Sequence, residues 1–445
     1  MIGSLLVIFS ILLYIKGNKK ASILFFICFS YRGFAVLTDN IMGLKNQDAA
    51  LIYFIIISVY SFYTERSSKN VINKKLDQCL VLFLIFMSLN IIFSALYYNL
   101  SFFQIIQGAR RFFIIFSYFF IRKLPLKDVE WILKALVYIS TFTGILYIIQ
   151  CLTGLPVLPD SDLVLSLDSV DGTLRYYNYP PCVEVAVIVL ILNPKLIRGK
   201  LKYCFLIILS IAVILSQGRT LLLGILLAVI FGIYQMSGFK SIAKYCVVFV
   251  VLAIPFSPLL NERFSENNGR GMLSEIEAIQ SGDFIMGDGG TLTFRLALVY
   301  ERMNYINNAS IGEQIFGLGL LSDQQKKLVD KMYDFQIGLV DRQTKEVYQL
   351  STPDIAYGNL ICKLGYVGTI LYMMIFFIIF VQAYKYRKTS INILCLFCML
   401  ISYFVLSFAS SLLSYSESFS LIYLFSGSLN NEINKQRIAI VRQND

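Results

Sequence analysis

Apolar residues run in long blocks along this chain, at about 1–16, 21–38, 50–64, 79–97, 102–121, 130–152, 182–193, 201–217, 220–236, 243–259, 355–384, 391–410 and 416–428. Most blocks are near the roughly 20 residues that a helix needs to cross a bilayer. A transmembrane barrel would instead show alternating ten-residue segments. The pattern therefore predicts an all-α polytopic membrane protein with about thirteen spans, twelve to fourteen allowing for the short blocks at 182–193 and 416–428. One polar stretch, 260–353, interrupts the series. It carries Phe, Tyr, Leu and Ile throughout and a helical register from Thr291 to Asn307, so it reads as a folded segment. Leu296, Val299, Tyr300, Met303 and Ile306 recur at helical spacing, which predicts an amphipathic helix lying on the membrane surface. The organisation expected is helices over 1–259, the large segment over 260–353, three more helices over 354–428 and a tail over 429–445.

Charge orients the series. The connectors holding Lys16 to Lys20, Glu65 to Lys75, Arg122 to Lys127, Lys195 to Lys202, Lys240 to Lys244 and Lys385 to Lys388 are basic and alternate with connectors of little excess charge. By the positive-inside rule they are cytoplasmic, together with the tail that carries Lys435, Arg437 and Arg442. The N-terminus and the 260–353 segment then face outward. Met1-Ile-Gly-Ser enters an apolar run without a basic n-region or a cleavage site, so it reads as a retained helix and not as a signal peptide. The net charge of +11 is spread over these connectors, and no basic soluble module is present to bind nucleic acid. Hydrophobic residues make up 57% of the chain, which confirms the membrane class. Cys395 and Cys398 form a CxxC inside an apolar run and read as small core residues. With no histidine in the chain, histidine ligands and histidine bases are excluded.

Candidate chemistry lies in the polar residues at membrane depth. At 1.5 Å per residue, Arg32 sits roughly 9 Å below the outer end of its block, and Arg110 and Arg111 about 13 Å. Arg219 and Glu184 lie at the outer ends of theirs. A buried arginine costs about 2.5–3.5 kcal/mol unless it meets a partner or water. Each alone is open to snorkelling, but four in the outer half predict a shared, outward-opening polar cavity. Guanidinium groups match phosphate oxygens bidentately, so the anion expected is the diphosphate of a lipid carrier. No Walker loop and no metal-spaced aspartate pair occurs, so neither a metal nor another cofactor is expected.

Four segments carry a family resemblance. LSQGRTLLLGILLAVIFG (215–232), RLALVYERMNYINNASIGEQIFGLGL (295–320), DIAYGNLICKLGYVGTILYMMIFF (354–377) and, more loosely, GTLRYYNYPPCVEVAVIV (172–189) resemble the O-antigen polymerase and ligase superfamily of bacterial envelope glycosyltransferases. The resemblance implies a fold of the GT-C kind with one large external loop, in the bacterial inner membrane. The activity it implies is polymerisation of undecaprenyl-diphosphate-linked oligosaccharide repeat units on the outer face. Donor and acceptor are then both lipid-linked, and a flippase and a chain-length regulator are the implied protein partners.

Carried over by residue, Arg219 and Arg295 would hold the diphosphate, with Arg110 and Arg32 as further cations. Asp354 stands where ligases of the superfamily place a histidine, which favours a polymerase over a ligase. It reads either as the general base or as a helix N-cap, since Thr-Pro-Asp before a helix is also a capping signal. Glu184, Glu301 and Glu417 are reserve carboxylates. Tyr176, Tyr177 and Tyr179 read as sugar-stacking rings or interfacial anchors, with Tyr176, Tyr177 and Glu184 the sugar-binding candidates. A ligase, or a transporter that merely binds the lipid-linked substrate, are the alternatives.

Overall fold

The computed structural model describes residues 2–38, 40–41, 44–64, 73–159, 169–170, 173–174, 176, 179–216, 218–238, 291–322, 325–338, 347, 349–350, 355–414 and 416–444. The chain is an all-α membrane protein. Strand structure among these residues is confined to two tiny hairpins, Asn40–Ile41 with Leu44–Lys45 and Ser169–Val170 with Thr173–Leu174. Among the described residues, five helices are long and apolar enough to cross a bilayer: α3 (Asn46–Thr64), α4 (Lys74–Tyr97), α7 (Leu126–Thr153), α10 (Arg219–Ser237) and α14 (Ala356–Tyr386). Around them stand α1 (Ile2–Ile15), α2 (Lys19–Ser30), α5 (Phe102–Phe113), α6 (Tyr118–Ile121), α8 (Val183–Leu192), α9 (Lys200–Leu215) and α15 (Ile391–Leu406). Shorter or more polar helices follow: α11 (Thr291–Asn308), α12 (Ile311–Phe316), α13 (Lys326–Met332), α16 (Glu417–Leu424) and α17 (Ser426–Asn444). The block at 243–259 and most of the 260–353 segment before Thr291 lie outside the described residues.

Several apolar blocks do not form single helices. The block at 21–38 is helical only to Ser30, and the chain then turns through left-handed backbone, with φ of 46° at Arg32, 62° at Gly33, 54° at Phe34 and 55° at Ala35. Twelve residues of α2 rise only about 18 Å, short of the roughly 30 Å hydrocarbon core. The block at 102–121 is divided by a 3₁₀ turn at Ile114–Ser117, and that at 416–428 by a break at Phe425 between α16 and α17. Hydrophobicity marks where a chain can be buried. It does not say whether the helix runs through.

The broken ends lie beside the middles of unbroken helices. Tyr147 and Ser140 of α7 donate from their hydroxyls to the carbonyls of Tyr176 (2.7 Å) and Pro181 (2.9 Å). These donors are seven residues apart, so the carbonyls of Tyr176 and Pro181 are met about 10 Å apart along α7. Beginning that far along α7, α8 is only ten residues long. In the same way Tyr372, midway along α14, donates to the carbonyl of Leu413 (2.8 Å), and Asn359 donates to the Ser414 hydroxyl (3.0 Å), just ahead of α16. Non-helical backbone at bilayer depth persists only where protein groups satisfy it.

Close helix packing uses small residues. Gly224 and Gly232 let α10 lie on α15, where a Cβ at Gly232 would come within 3.0 Å of the Cys398 sulfur. Cys395 and Cys398 are fully buried here as packing residues. The end of the large segment is threaded in by glycine too. Gly317 has φ of 83°, and a Cβ there would stand 2.6 Å from the carbonyl oxygen of Cys362 and from the amide of Gly365, where α14 itself opens with φ of 62°. The amide of Leu318 donates to that Cys362 carbonyl (2.7 Å), and Leu318, Leu320 and Leu321 are fully buried. A Cβ on Gly108 of α5 would lie 2.0 Å from the Leu320 carbonyl oxygen, so loop backbone rests directly on α5.

Gly317→Ala is expected to cost about 2–4 kcal/mol, from a left-handed non-glycine residue and an overpacked contact together. In Gly144→Ala the new Cβ meets only contacts of 3.7–3.8 Å, and the change should be neutral or slightly stabilising. Thermal melting of the detergent-purified variants measures both, and an unchanged melting point for Gly317→Ala would contradict this packing.

Candidate polar site at mid-depth

Two carboxylates begin the half-length helices at mid-bundle. Glu184 lies in the first turn of α8, is 3% exposed, and stands within electrostatic reach of the Tyr403 hydroxyl of α15. The Tyr403 hydroxyl also meets that of Tyr31 (3.4 Å), which follows the last residue of α2. Cys182, just before α8, adopts φ of 60°. Two left-handed segments, at Arg32 to Ala35 and at Cys182, thus flank one polar cluster, with Tyr179 within electrostatic reach of both Arg32 and Glu184. Non-glycine residues held in this region cost of order 1–3 kcal/mol each and collect at functional sites.

The second carboxylate, Glu417, opens α16. It is 7% exposed, its Oε2 is buried with no hydrogen-bond partner, and Arg111, Arg32 and Arg110 all lie within electrostatic reach of it. Arg110, 7% exposed, is ion-paired with Asp48 in the first turn of α3. A buried guanidinium needs such a counter-ion, since breaking a buried pair costs about 3–5 kcal/mol. The loop backbone at Leu320 and Leu321 rests on Gly108, two residues before Arg110, so this part of the large segment lies next to Arg110.

Arg32 is exposed and Arg110 buried, both lie within electrostatic reach of Glu417, and Glu184 lies within reach of Tyr31 and Tyr179. Arg219 is half-buried at the first turn of α10, whose Gly224 packs on Ser402 and Leu406, so it stands at the same end of α15 as Tyr403. The amide of Ala356, at the start of α14, donates to the Ser407 carbonyl at that end (3.1 Å). Asp354 and Tyr177 lie outside the described residues. Arg295 is half-buried on α11, which packs on α14 and α12. It sits a full turn inside the helix, away from the N-terminal end where the helix dipole favours an anion.

Three expectations are corrected. Tyr176 is 2% exposed, packs with Tyr147, Cys151 and Leu215, and donates its hydroxyl to the Gly154 carbonyl (3.0 Å), so neither ring face is open to a sugar or to the membrane interface. Glu301 is structural: it pairs with Arg302 and accepts from the amides of Gln336 (2.7 Å) and Ile337 (3.1 Å). The buried face of α11 is Ala297, Leu298, Arg302 and Ile306, whereas Leu296 and Tyr300 of the expected apolar face are exposed.

Sequence reasoning passed over Arg302. It is fully buried, lies 4.4 Å from the Phe335 ring centroid, and donates to the Ile337 carbonyl, so it pins the 335–337 strand of loop to α11. The Arg-Glu doublet was visible, but only the fold turns it inward. Tyr98 and Tyr333 complete this layer, donating to Glu313 (3.0 Å) and to the Leu318 carbonyl (2.7 Å). Burial holds both phenols well above their ordinary range, so they remain donors at any physiological pH. Asp48 and Tyr403 were likewise missed, because a lone polar residue in an apolar block does not announce its partner. No known protein-family model matches the chain, and no curated protein matches it in sequence.

Arg302→Met should free the loop without disturbing the bundle. Hydrogen–deuterium exchange is expected to speed up at least tenfold at the amides of Gln336 and Ile337 while peptides from α5 stay unchanged. Equal protection in the two proteins would show that Arg302 does not hold the loop.

Proposed function

We propose that this protein is a lipid-linked glycan polymerase, which joins undecaprenyl-diphosphate-linked repeat units on the outer face of the bacterial inner membrane. The observation that carries the reading is that Arg32, Arg110 and Arg111 all lie within electrostatic reach of one buried carboxylate, Glu417, with the large polar segment resting on Gly108 beside Arg110. Fixed guanidinium groups in a low-dielectric interior stabilise charge as it develops on a leaving diphosphate. In this reading the fold is GT-C-like, with about twelve to fourteen crossings, and residues 260–353 form the external loop.

The step is a substitution at the anomeric carbon of the donor sugar. The bond from that carbon to the diphosphate oxygen breaks, and the electron pair leaves with the diphosphate toward the arginines. The acceptor hydroxyl oxygen forms the new glycosidic bond, and its proton passes to a carboxylate, for which Asp354 is the proposed base. Arg219 and Arg295 would hold the departing lipid diphosphate, with Arg32 and Arg110 as further cations. Asp48 and Glu417 balance these cations until the substrate's own charge arrives. Glu184, with Tyr31 and Tyr179 nearby, would meet sugar hydroxyls.

A second reading, a transporter for the same lipid-linked substrate, is favoured by the broken helices α2, α8 and α16 that meet at mid-depth, a common arrangement around transported solutes. One experiment separates the two. Purified full-length protein in liposomes is given a synthetic undecaprenyl-diphosphate repeat unit, and products are resolved by size and by leaflet. Polymerisation predicts a ladder of oligomers. Arg110→Gln is expected to reduce it about 10²–10³-fold, and Asp354→Asn about 10²–10⁴-fold, with gel-filtration profiles unchanged. Movement of the repeat unit between leaflets with no ladder would replace the polymerase reading with the transporter.

A further inference from the structure

At the basic end of the bundle, opposite the cluster described above, lies a pocket of about 160 Å³ bordered by the connector 122–126, the start of α7 and the first turns of α17. Arg122, Lys123, Ser428, Asn430 and Asn431 supply its polar lining, and among the described residues no acidic side chain lines it. Arg122 is held from behind by Asp77 of α4, which accepts from it through both carboxylate oxygens (2.7 and 2.9 Å), and Lys123 donates to the Ser61 hydroxyl (2.7 Å). Asn430 is 2% exposed, and one end of its amide meets the Tyr118 hydroxyl (3.3 Å) while the other is buried without a partner. A buried amide end left unsatisfied costs about 1–3 kcal/mol, so this one calls for a ligand hydroxyl.

The level of the pocket identifies what supplies the ligand. Trp131, the chain's single tryptophan, lies in the second turn of α7, is 40% exposed, and has the Lys20 ammonium 5.5 Å from its ring. Lys19 lies over Tyr14 and Arg387 over Tyr384 in the same manner. Aromatic rings paired with cations mark a membrane–water interface. Leu126, 49% exposed at the rim, gives acyl chains an apolar path out of the pocket. We propose that this pocket binds the headgroup of an anionic glycerophospholipid, with the phosphate at Arg122 and Lys123 and the glycerol hydroxyls at Asn430. Basic pockets between membrane helices on this face suit such headgroups.

Native mass spectrometry of the detergent-purified full chain tests the site with phosphatidylglycerol, phosphatidylcholine and soluble sn-glycerol 3-phosphate as probes. Phosphatidylglycerol should be retained at least fivefold better than phosphatidylcholine, and equimolar glycerol phosphate should not displace it. A Cβ on Gly427 would meet nothing closer than the carbonyl oxygens of Leu124 and Arg122, at 3.6 and 3.7 Å. Gly427→Leu should therefore fill the pocket, lowering retention at least tenfold with an unchanged melting point. Asn431→Asp, at an exposed position on the rim, should weaken retention about fivefold by adding a negative charge. Equal retention of the two lipids, displacement by glycerol phosphate, or full retention by Asn431→Asp would overturn the proposal.

Discussion

A backbone carbonyl that leaves a helix at bilayer depth has no water to turn to. In this protein four such groups are met by side chains of neighbouring unbroken helices or by a neighbouring amide: Tyr176 by Tyr147, Pro181 by Ser140, Leu413 by Tyr372, and Ser407 by the amide of Ala356. Each net hydrogen bond is worth only about 0.5–1.5 kcal/mol, yet leaving the group unmet in hydrocarbon would cost several. Because these partners exist, α8 and α16 can begin halfway through the bundle. Their first turns then carry Glu184 and Glu417 to a depth where no continuous helix would expose a helix start.

Charge at that depth is held by mutual compensation. Arg110 is matched by Asp48, and Glu417 by the combined field of Arg111, Arg32 and Arg110. Such an arrangement is poor as pure stabilisation, since apolar replacements of buried ion pairs are often neutral or better. It suits a site whose charges are exchanged for those of a substrate. Glycine makes the final assembly compact: Gly108, Gly317 and Gly365 let loop backbone touch helix backbone without intervening side chains. The buried Arg302 then keeps the loop layer in one conformation.

The two ends of the bundle therefore do different work. One gathers arginines and carboxylates beneath a docked loop. The other carries cation–aromatic pairs at the interface, with a small basic pocket among them. Both follow from a chain whose charges are sparse and placed where helices end or break.

Much of the architecture was legible in residue order. The blocks at 130–152 and 220–236 became α7 and α10 within a few residues, because a long run without charge has one stable outcome in a bilayer, a helix that satisfies its own backbone. Arg110 could be picked out as costly and in need of a partner. The partner itself could not, nor could the break after Ser30 or the burial of Tyr176. Those were settled by tertiary packing: a helix can stop inside a membrane only when another helix offers a hydroxyl, an amide or a missing side chain at the same height, and height relative to a neighbour is not written in either segment alone.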